Sequence, residues 1–196
     1  MTHESIRMIR DEHAALAAML RSLVMMVQRG PADDPAAFFD VVRAMLFYID
    51  EFPERLHHPK ETELLFPKIA RAAPATADAI ARLDAEHHSG EAAVRELQHL
   101  LLAWELLGEP RRAAFEEAAR AYEAFYMEHM RLEESLILPE AEHALSEAEW
   151  QELDAAFASN RDPLTGKYPP DPGYDRLFTR IVMKAPSPIG LGPSTI

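Results

Sequence analysis

The sequence predicts an all-α protein: an up-down-up-down four-helix bundle followed by a short fifth helix and a C-terminal extension. Three observations predict this class. The 196 residues include only 7 glycines, and the helix-favouring Ala, Leu, Glu and Arg dominate. Apolar residues recur at three- and four-residue intervals over four long stretches. The junctions between these stretches are short, which makes neighbouring helices antiparallel.

The first helix is predicted over residues 5 to 28, and Gly30-Pro31 ends it. The second helix begins at Asp34-Pro35, which has the pattern of an N-cap followed by proline at the first helical position. Two sharp boundaries therefore separate the first two helices.

Pro53 and Pro59 fall inside the continuation of the second helix. Each proline removes a helical hydrogen bond and bends the axis. Because they flank His57, the sequence predicts a distorted helix at that residue.

The third helix is predicted over residues 76 to 107, and the fourth ends at about residue 138. Residues 146–149 (Ser-Glu-Ala-Glu) form a capping box that opens a short fifth helix. We therefore divide the chain into a bundle, residues 1–145, and an extension, residues 146–196.

The extension contains apolar residues that the bundle pattern does not cover: Tyr174, Leu177, Phe178 and Ile181. Large exposed apolar patches are rare on monomeric proteins. We expect the extension to pack across its own bundle or against a second copy in a homodimer.

The composition excludes several classes of function. A net charge of −13 argues against nucleic acid as a partner, and the absence of cysteine excludes disulfides, thiolate metal sites and thiol catalysis. No apolar run reaches the roughly 18 residues that span a bilayer, and the N-terminus lacks the apolar stretch of a signal peptide. We expect a soluble, cytoplasmic protein with no membrane partner.

One pattern occurs twice: a lone histidine, and later in the chain a His-x-x-x-Glu pair. Residues four apart lie on one face of a helix, so each pair directs an imidazole and a carboxylate to the same place. Two such halves, packed face to face, predict a two-metal site. The predicted ligands are His13, His57, Glu61, His87, His129 and Glu133.

Helical phase selects the inward histidines. His57 shares a face with apolar residues, whereas His58 shares a face with charged residues such as Glu54 and is predicted to face solvent. By the same test His87 faces inward and His88 outward. His3, His99 and His143 are also predicted to lie at the surface.

Imidazole and carboxylate without sulfur suit iron, manganese or zinc. If both glutamates bridge, the six residues supply about eight of the twelve bonds that two octahedral ions accept. The site is then open, which favours ligand binding or redox chemistry. The ferritin arrangement, with Glu-x-x-His on two helices, fails because Tyr126 replaces the second glutamate.

The chain resembles hemerythrin-like proteins with the HHE cation-binding domain over about residues 3 to 145. The stretches that carry the resemblance are Asp11–His13, Phe52–Glu61, Glu86–His88 and His129–Glu134. The resemblance implies a non-haem di-iron centre, bridged by two carboxylates, that binds oxygen or nitric oxide at an open position. Members of the family include oxygen carriers, oxygen or redox sensors and proteins that repair iron centres.

Two positions depart from the oxygen carriers. Oxygen-carrying hemerythrins have His-x-x-x-His on the third helix, where this chain has Glu91, and they place the last carboxylate five residues after the histidine, at the position of Glu134. Glu91 is either an additional ligand or a solvated glutamate. The ligand set is similar to that of the iron–sulfur repair proteins, yet the cysteine-bearing segment of many of those proteins is absent here.

Tyr122 and Tyr126 lie on the face of the fourth helix that carries His129. Either they pack in the core, or a hydroxyl donates a hydrogen bond to a ligand or to a liganding carboxylate. The sequence leaves two functions open. The chain binds oxygen or nitric oxide for sensing, storage or scavenging, or it is an enzyme that acts on peroxide or nitric oxide or an iron donor for repair.

Overall fold

The computed structural model describes residues 3–165 and 172–192, except the side chains of residues 172, 173, 175 and 178. Helices account for the regular structure of these residues, apart from an isolated bridge between Pro186 and Gly192. The first helical segment is α1 (Glu4–Arg29). The second runs through α2 (Pro35–Ile49), the π-helix π1 (Asp50–His57), α3 (His58–Lys60), π2 (Glu61–Leu65) and α4 (Phe66–Ala72).

The third segment is α5 (Ala77–Leu107), preceded by a 3₁₀ turn. The fourth runs through α6 (Arg112–Leu132), π3 (Glu133–Ile137) and α7 (Leu138–Ala144). The extension adds α8 (Glu147–Phe157), α9 (Pro172–Thr179) and π4 (Arg180–Lys184).

The predicted helix starts are confirmed. The Asp34 carboxylate accepts a hydrogen bond of 3.0 Å from the backbone N–H of Ala37, with Pro35 opening α2. At α8, the carboxylate of Glu149 accepts one of 2.9 Å from the backbone N–H of Ser146, as a capping box requires.

The predicted distortion of the second helix is confirmed, and the fourth helix shares it. Glu61 opens π2 and Glu133 opens π3. Pro67 and Pro139, each ten residues after the motif histidine, follow these π-helices directly. Proline has no N–H to donate to the preceding turn, which makes a wider turn tolerable there. In both His-x-x-x-Glu motifs the glutamate thus opens a π-helix, and in the first motif His57 also ends one.

The four helical segments surround a common interior, because α1 packs on α2 and α6, and α5 packs on the same two helices. Two apolar cores fill it. Core 1 contains Ile6 and Ile9 of α1 together with apolar residues of α4, α7 and α8. Core 2 contains apolar residues of α1 from Leu16 onward, of α2, of the second half of α5 and of α6.

A polar layer separates the two cores. Along α1, His13 lies between Ile9 of core 1 and Leu16 of core 2. On the other three segments, His57, His87 and His129 also lie where the chain passes from one core to the other. Each segment therefore contributes at least one buried histidine at the level where apolar packing is interrupted.

The extension contributes to both cores. Trp150, Leu153 and Phe157 of α8 belong to core 1, and Ile181 and Ala185 belong to core 2. Tyr174 and Leu177 pack against core 2; the side chain of Phe178 lies outside the described residues. Among the described residues, no helix has the length and apolar character needed to cross a bilayer.

Candidate metal centre

The six predicted ligands meet in the polar layer. All are buried, with exposed fractions between 0 and 6 %. They come from α1, the second segment, α5 and the fourth segment. Their donor atoms fall into two groups, within each of which the atoms lie within 4.8 Å of one another.

Each glutamate directs one oxygen to each half of the site. Glu61 Oε1 lies 3.0 Å from His57 Nε2, and its Oε2 lies 3.4 Å from His87 Nε2. Glu133 Oε2 lies 3.1 Å from His13 Nε2, and its Oε1 lies 3.3 Å from His129 Nε2. Two carboxylates placed in this way could bridge a pair of ions, one beside His13 and His57 and the other beside His87 and His129.

A fifth histidine joins the second half. His58 is 4 % exposed and groups with Glu61, His87 and His129. The expectation that His58 faces solvent is therefore wrong. That expectation assumed 3.6 residues per turn, whereas π1 and π2 have wider turns that allow both His57 and His58 to face the interior.

Four contacts orient the predicted ligand histidines through their Nδ1 atoms. Each contact is made by a residue that directly neighbours a predicted ligand in the chain. The histidine that it supports lies on a different helical segment. The pairs are Glu12 to His57 (2.7 Å), Thr62 to His87 (2.9 Å), Glu86 to His129 (2.9 Å) and Glu134 to His13 (2.9 Å). We call these four contacts the Nδ1 circuit. With Nδ1–H donating, Nε2 keeps its lone pair for a metal.

The Nδ1 circuit closes on itself. The first segment supports the second through Glu12, the second supports the third through Thr62, the third supports the fourth through Glu86, and the fourth supports the first through Glu134. These supporting roles were not predicted from the sequence. A signal was present, since each supporting residue directly neighbours a predicted ligand.

Tyr122 and Tyr126 donate to a carboxylate that the sequence analysis placed in solvent. Both hydroxyls bind Glu54 Oε1, at 2.7 and 2.5 Å, and Glu54 Oε2 lies 3.1 Å from His58 Nδ1. Glu54 is only 7 % exposed. The tyrosines thus act on His58 through Glu54.

Glu91 lies apart from both groups of donors. Its side chain is 47 % exposed and pairs with Arg95, one turn further along α5. The structure does not bring Glu91 together with the six buried ligands, although it lines a cleft beside them.

The buried donor atoms fit a metal pair. Among the described residues, His57 Nε2 and both oxygens of Glu61 and of Glu133 have no hydrogen-bond partner. His57 Nε2 is 3.0 Å from Glu61 Oε1, yet the two are not aligned as a hydrogen bond. Buried carboxylates without partners cost several kcal/mol. Cations between these lone pairs would remove that cost.

When no metal is bound, a protonated histidine can supply positive charge beside the buried carboxylates. Burial opposes the charged form of His13, but the adjacent carboxylates of Glu133 and Glu134 outweigh it and raise the pKa of His13 from 6.5 to about 9. Burial and Glu61 oppose the charge on Glu133, but His129 and His13 outweigh them and lower the pKa of Glu133 from 4.5 to about 2. Without metal, His13 and Glu133 therefore form an imidazolium–carboxylate pair.

We expect the stability of the metal-free chain to fall as pH rises. A raised histidine pKa stabilises the fold fully below the unfolded value of 6.5, and this contribution is lost as pH rises through about 9. The lowered pKa of Glu133 acts oppositely: its contribution is present above 4.5 and is lost toward pH 2. Urea unfolding at pH 5.5 and pH 9 should differ by on the order of 3 kcal/mol through His13.

His13→Gln provides the control, because it removes the group that titrates. Its unfolding free energy should change less between the two pH values than that of the parent chain. Equal or greater stability of the metal-free parent at pH 9 would contradict the expected proton distribution. Metal affinity should show the opposite trend and rise with pH, since metal must displace these protons.

Gly90 makes room for the tyrosine–carboxylate contact. A Cβ at this position of α5 would lie 1.8 Å from the Tyr126 hydroxyl oxygen and 3.1 Å from Glu54 Oε1. Alanine normally stabilises a helix by about 1 kcal/mol relative to glycine. The space that the Tyr126 hydroxyl and Glu54 occupy beside Gly90 explains why a glycine stands in the middle of a long helix.

Gly90→Ala should therefore destabilise the chain by about 1–3 kcal/mol, because Tyr126 must leave Glu54 to accommodate the methyl group. Denaturant unfolding measures the effect, and Ser89→Ala, at an exposed neighbour, is the matched control. A Gly90→Ala chain more stable than the parent would show that Tyr126 can move freely.

Two spaces adjoin the centre on different sides. A small cavity of about 10 Å³ borders His13, His57 and His58 and is otherwise lined largely by apolar side chains: Leu16, Phe52, Pro53, Leu56 and Met130. A cleft of about 170 Å³ reaches His58 and His87 and is also lined by the exposed Glu63 and His88. The first has room for about one water-sized molecule, whereas the second is polar and open.

Comparison with known proteins agrees with this geometry. The family model described as the hemerythrin HHE cation binding domain matches residues 4–141, a span that includes all five buried histidines and both glutamates. No curated protein matches the chain.

Proposed function

Because this chain belongs to the hemerythrin HHE cation-binding family, we propose that it is a non-haem di-iron protein that reversibly binds oxygen or nitric oxide. The observation that carries the proposal is the pair of buried glutamates, each with one oxygen toward each half of the site. The proposed ligands are the six predicted residues and His58. Iron is the proposed metal, and manganese and zinc are alternatives that metal analysis distinguishes.

The two halves are unequal. His13 and His57 serve one half, whereas His58, His87 and His129 serve the other, and the glutamates contribute to both. Five imidazole nitrogens and four carboxylate oxygens would supply nine of the roughly twelve donors that two six-coordinate ions accept. The half with two histidines would have more open positions, and both of its histidines border the small cavity, which also reaches His58.

A bound iron pair would supply reversible one-electron chemistry and open coordination positions. The protein residues hold the donors in place and exclude bulk water. Leu16, Phe52 and Met130 restrict the cavity beside His13 and His57 to a small ligand of low polarity. A diatomic gas fits these limits, and we propose sensing, storage or scavenging of such a gas.

An enzyme or an iron donor is the alternative, and the polar cleft is the observation that favours it. The cleft joins exposed Glu63 and His88 to His58 and His87. Such a path suits the passage of peroxide, protons or a metal cation more than that of an apolar gas.

Stopped-flow mixing of the di-ferrous protein with oxygen, nitric oxide and peroxide tests the proposal. A stable adduct that reverses when the gas is removed supports binding, whereas rapid irreversible oxidation with product release supports the enzyme. Met130→Phe, which narrows the cavity, should slow association of the gas; Met183→Phe, at an exposed site, should not. No reaction with either gas would rule out gas binding.

At the level of architecture, we propose that the four segments run up-down-up-down and that residues 1–145 form the metal-binding bundle. Residues 146–196 then form an extension that packs on the bundle. The placement of Trp150 and Ile181 in the two cores supports packing within one chain over packing against a second copy.

A further inference from the structure

The segment that follows α8 inserts two polar side chains into the bundle. Asn160 and Asp162 are 4 % and 3 % exposed, although both lie beyond the residues that the family model matches. Buried polar side chains cost free energy unless they are hydrogen-bonded. Their partners therefore show what the segment contacts.

Asn160 binds at both ends of its amide group. Its Nδ2 donates to Glu12 Oε2 at 2.9 Å, and its Oδ1 accepts from Lys60 Nζ. Lys60 directly precedes Glu61 in the chain. The amide therefore ties the extension to α1 and to the helix that carries Glu61.

The Glu12 oxygen that accepts from Asn160 is the one that supports His57. Glu12 Oε2 lies 2.7 Å from His57 Nδ1. A donor that shares this oxygen fixes its position and withdraws electron density from it. His57 then donates its Nδ1–H to a less basic carboxylate, which limits how strongly its Nε2 can donate to a metal.

A separate contact holds the segment in place. The Tyr48 hydroxyl donates to Asp162 Oδ2 at 2.7 Å, and the backbone N–H of Leu164 donates to Asp162 Oδ1 at 2.8 Å. Asn160 and Asp162 also line the small cavity beside His13 and His57. The segment is thus built into the surroundings of the metal centre.

We propose that Asn160 is a positioning residue for the metal centre, through which the extension sets the geometry and donor strength of His57 by way of Glu12. The metal part of this inference rests on the proposed function. The hydrogen-bond part does not, because the contact between Glu12 and His57 involves protein atoms alone.

The test uses the full-length chain with Co²⁺ as the probe. Asn160→Leu removes the donor, and Asn160→Asp removes it while keeping the side-chain shape and the acceptor for Lys60. Loss of a group that orients a metal ligand typically weakens metal binding 10–100-fold. Since Asn160 acts one step further away, we expect weakening of about tenfold, with a changed visible spectrum of bound Co²⁺.

Ser159→Ala is the matched control, because Ser159 is the exposed neighbour and its hydroxyl bonds only to Ala156 O among the described contacts. It should leave affinity and spectrum unchanged. If Asn160→Leu does not fold, the Co²⁺ affinity and spectrum of Asn160→Asp provide the test. Asn160 variants with the parent's affinity and spectrum would overturn the proposal.

A measurement on the metal-free protein separates the two hypotheses. The Nδ1–H resonance of His57 in the NMR spectrum should shift in both Asn160 variants and stay in place in Ser159→Ala. If the parent takes up no Co²⁺, the proposed function fails, while a shifted resonance still supports the hydrogen-bond link. An unshifted resonance would refute the link itself.

Discussion

Replacing Glu61 with alanine is expected to reduce the metal content of the chain from about two ions to at most one. Glu61 is the residue shared by both groups of donor atoms, and its two oxygens face His57 and His87. Its loss would remove a donor from each half and would leave the proposed ion pair without one of its two proposed bridges. Metal analysis after anaerobic reconstitution with Fe²⁺ measures the outcome.

Glu63→Ala is the matched control, since Glu63 is an exposed glutamate two residues further along the same helical segment. It should keep both ions. Removing one member of a buried ion pair costs about 3–5 kcal/mol, so Glu61→Ala could lose metal because it unfolds. Glu61→Gln keeps the side-chain shape and separates loss of the metal ligand from loss of the fold. A folded Glu61→Ala chain with two bound ions would exclude the bridging role.

The second large effect is expected from Phe157, the last residue of α8. Its side chain is fully buried in core 1, and its ring lies 5.8 Å from the ring of His57 in an edge-on contact. Phe157→Ala should lower the free energy of unfolding by about 3–5 kcal/mol, because it leaves a cavity between the extension and the bundle. Denaturant unfolding provides the measurement.

Phe47→Ala removes the same group from a side chain that is 47 % exposed and should cost far less. Equal effects of the two substitutions would mean that α8 is only loosely attached. In that case residues 146–196 would be an appendage, and the proposed packing of the extension on the bundle would be wrong.

The burial of His13, His87 and His129 could be predicted because α1, α5 and α6 are regular helices around these residues. A constant period of 3.6 residues identifies the inward face of such a helix. The helix starts were equally readable, since Asp34 and Ser146 cap by local side-chain contacts.

His58 and Glu54 could not be placed in the same way, because the second segment alternates between α- and π-helix. A wider turn changes which residues share a face, so a single period fails there. Pro53 and Pro59, which flank His57, indicated a distortion but not which residues it would turn inward.

The contacts of the Nδ1 circuit and of Asn160 cannot be predicted from the local spacing of residues along the chain. Glu134 and His13 are 121 residues apart in the chain, and Asn160 and Glu12 are 148 apart. Spacing along one helix carries no information on which side chain of another helix will face it. Only the packing of the four segments brings these pairs together.

The closed order of the Nδ1 circuit also bears on how fast bound ions exchange with solution. Each segment both supports a ligand on the next segment and depends on the previous one. Withdrawal of any single segment would break two contacts of the circuit, the one that its own histidine receives and the one that it gives to the next segment, which opposes partial opening. We therefore expect ion release to require a cooperative opening of the whole bundle, at a rate set by that rare event. Slow release of this kind suits a protein that retains its ions through many cycles of ligand binding better than one that delivers iron to others.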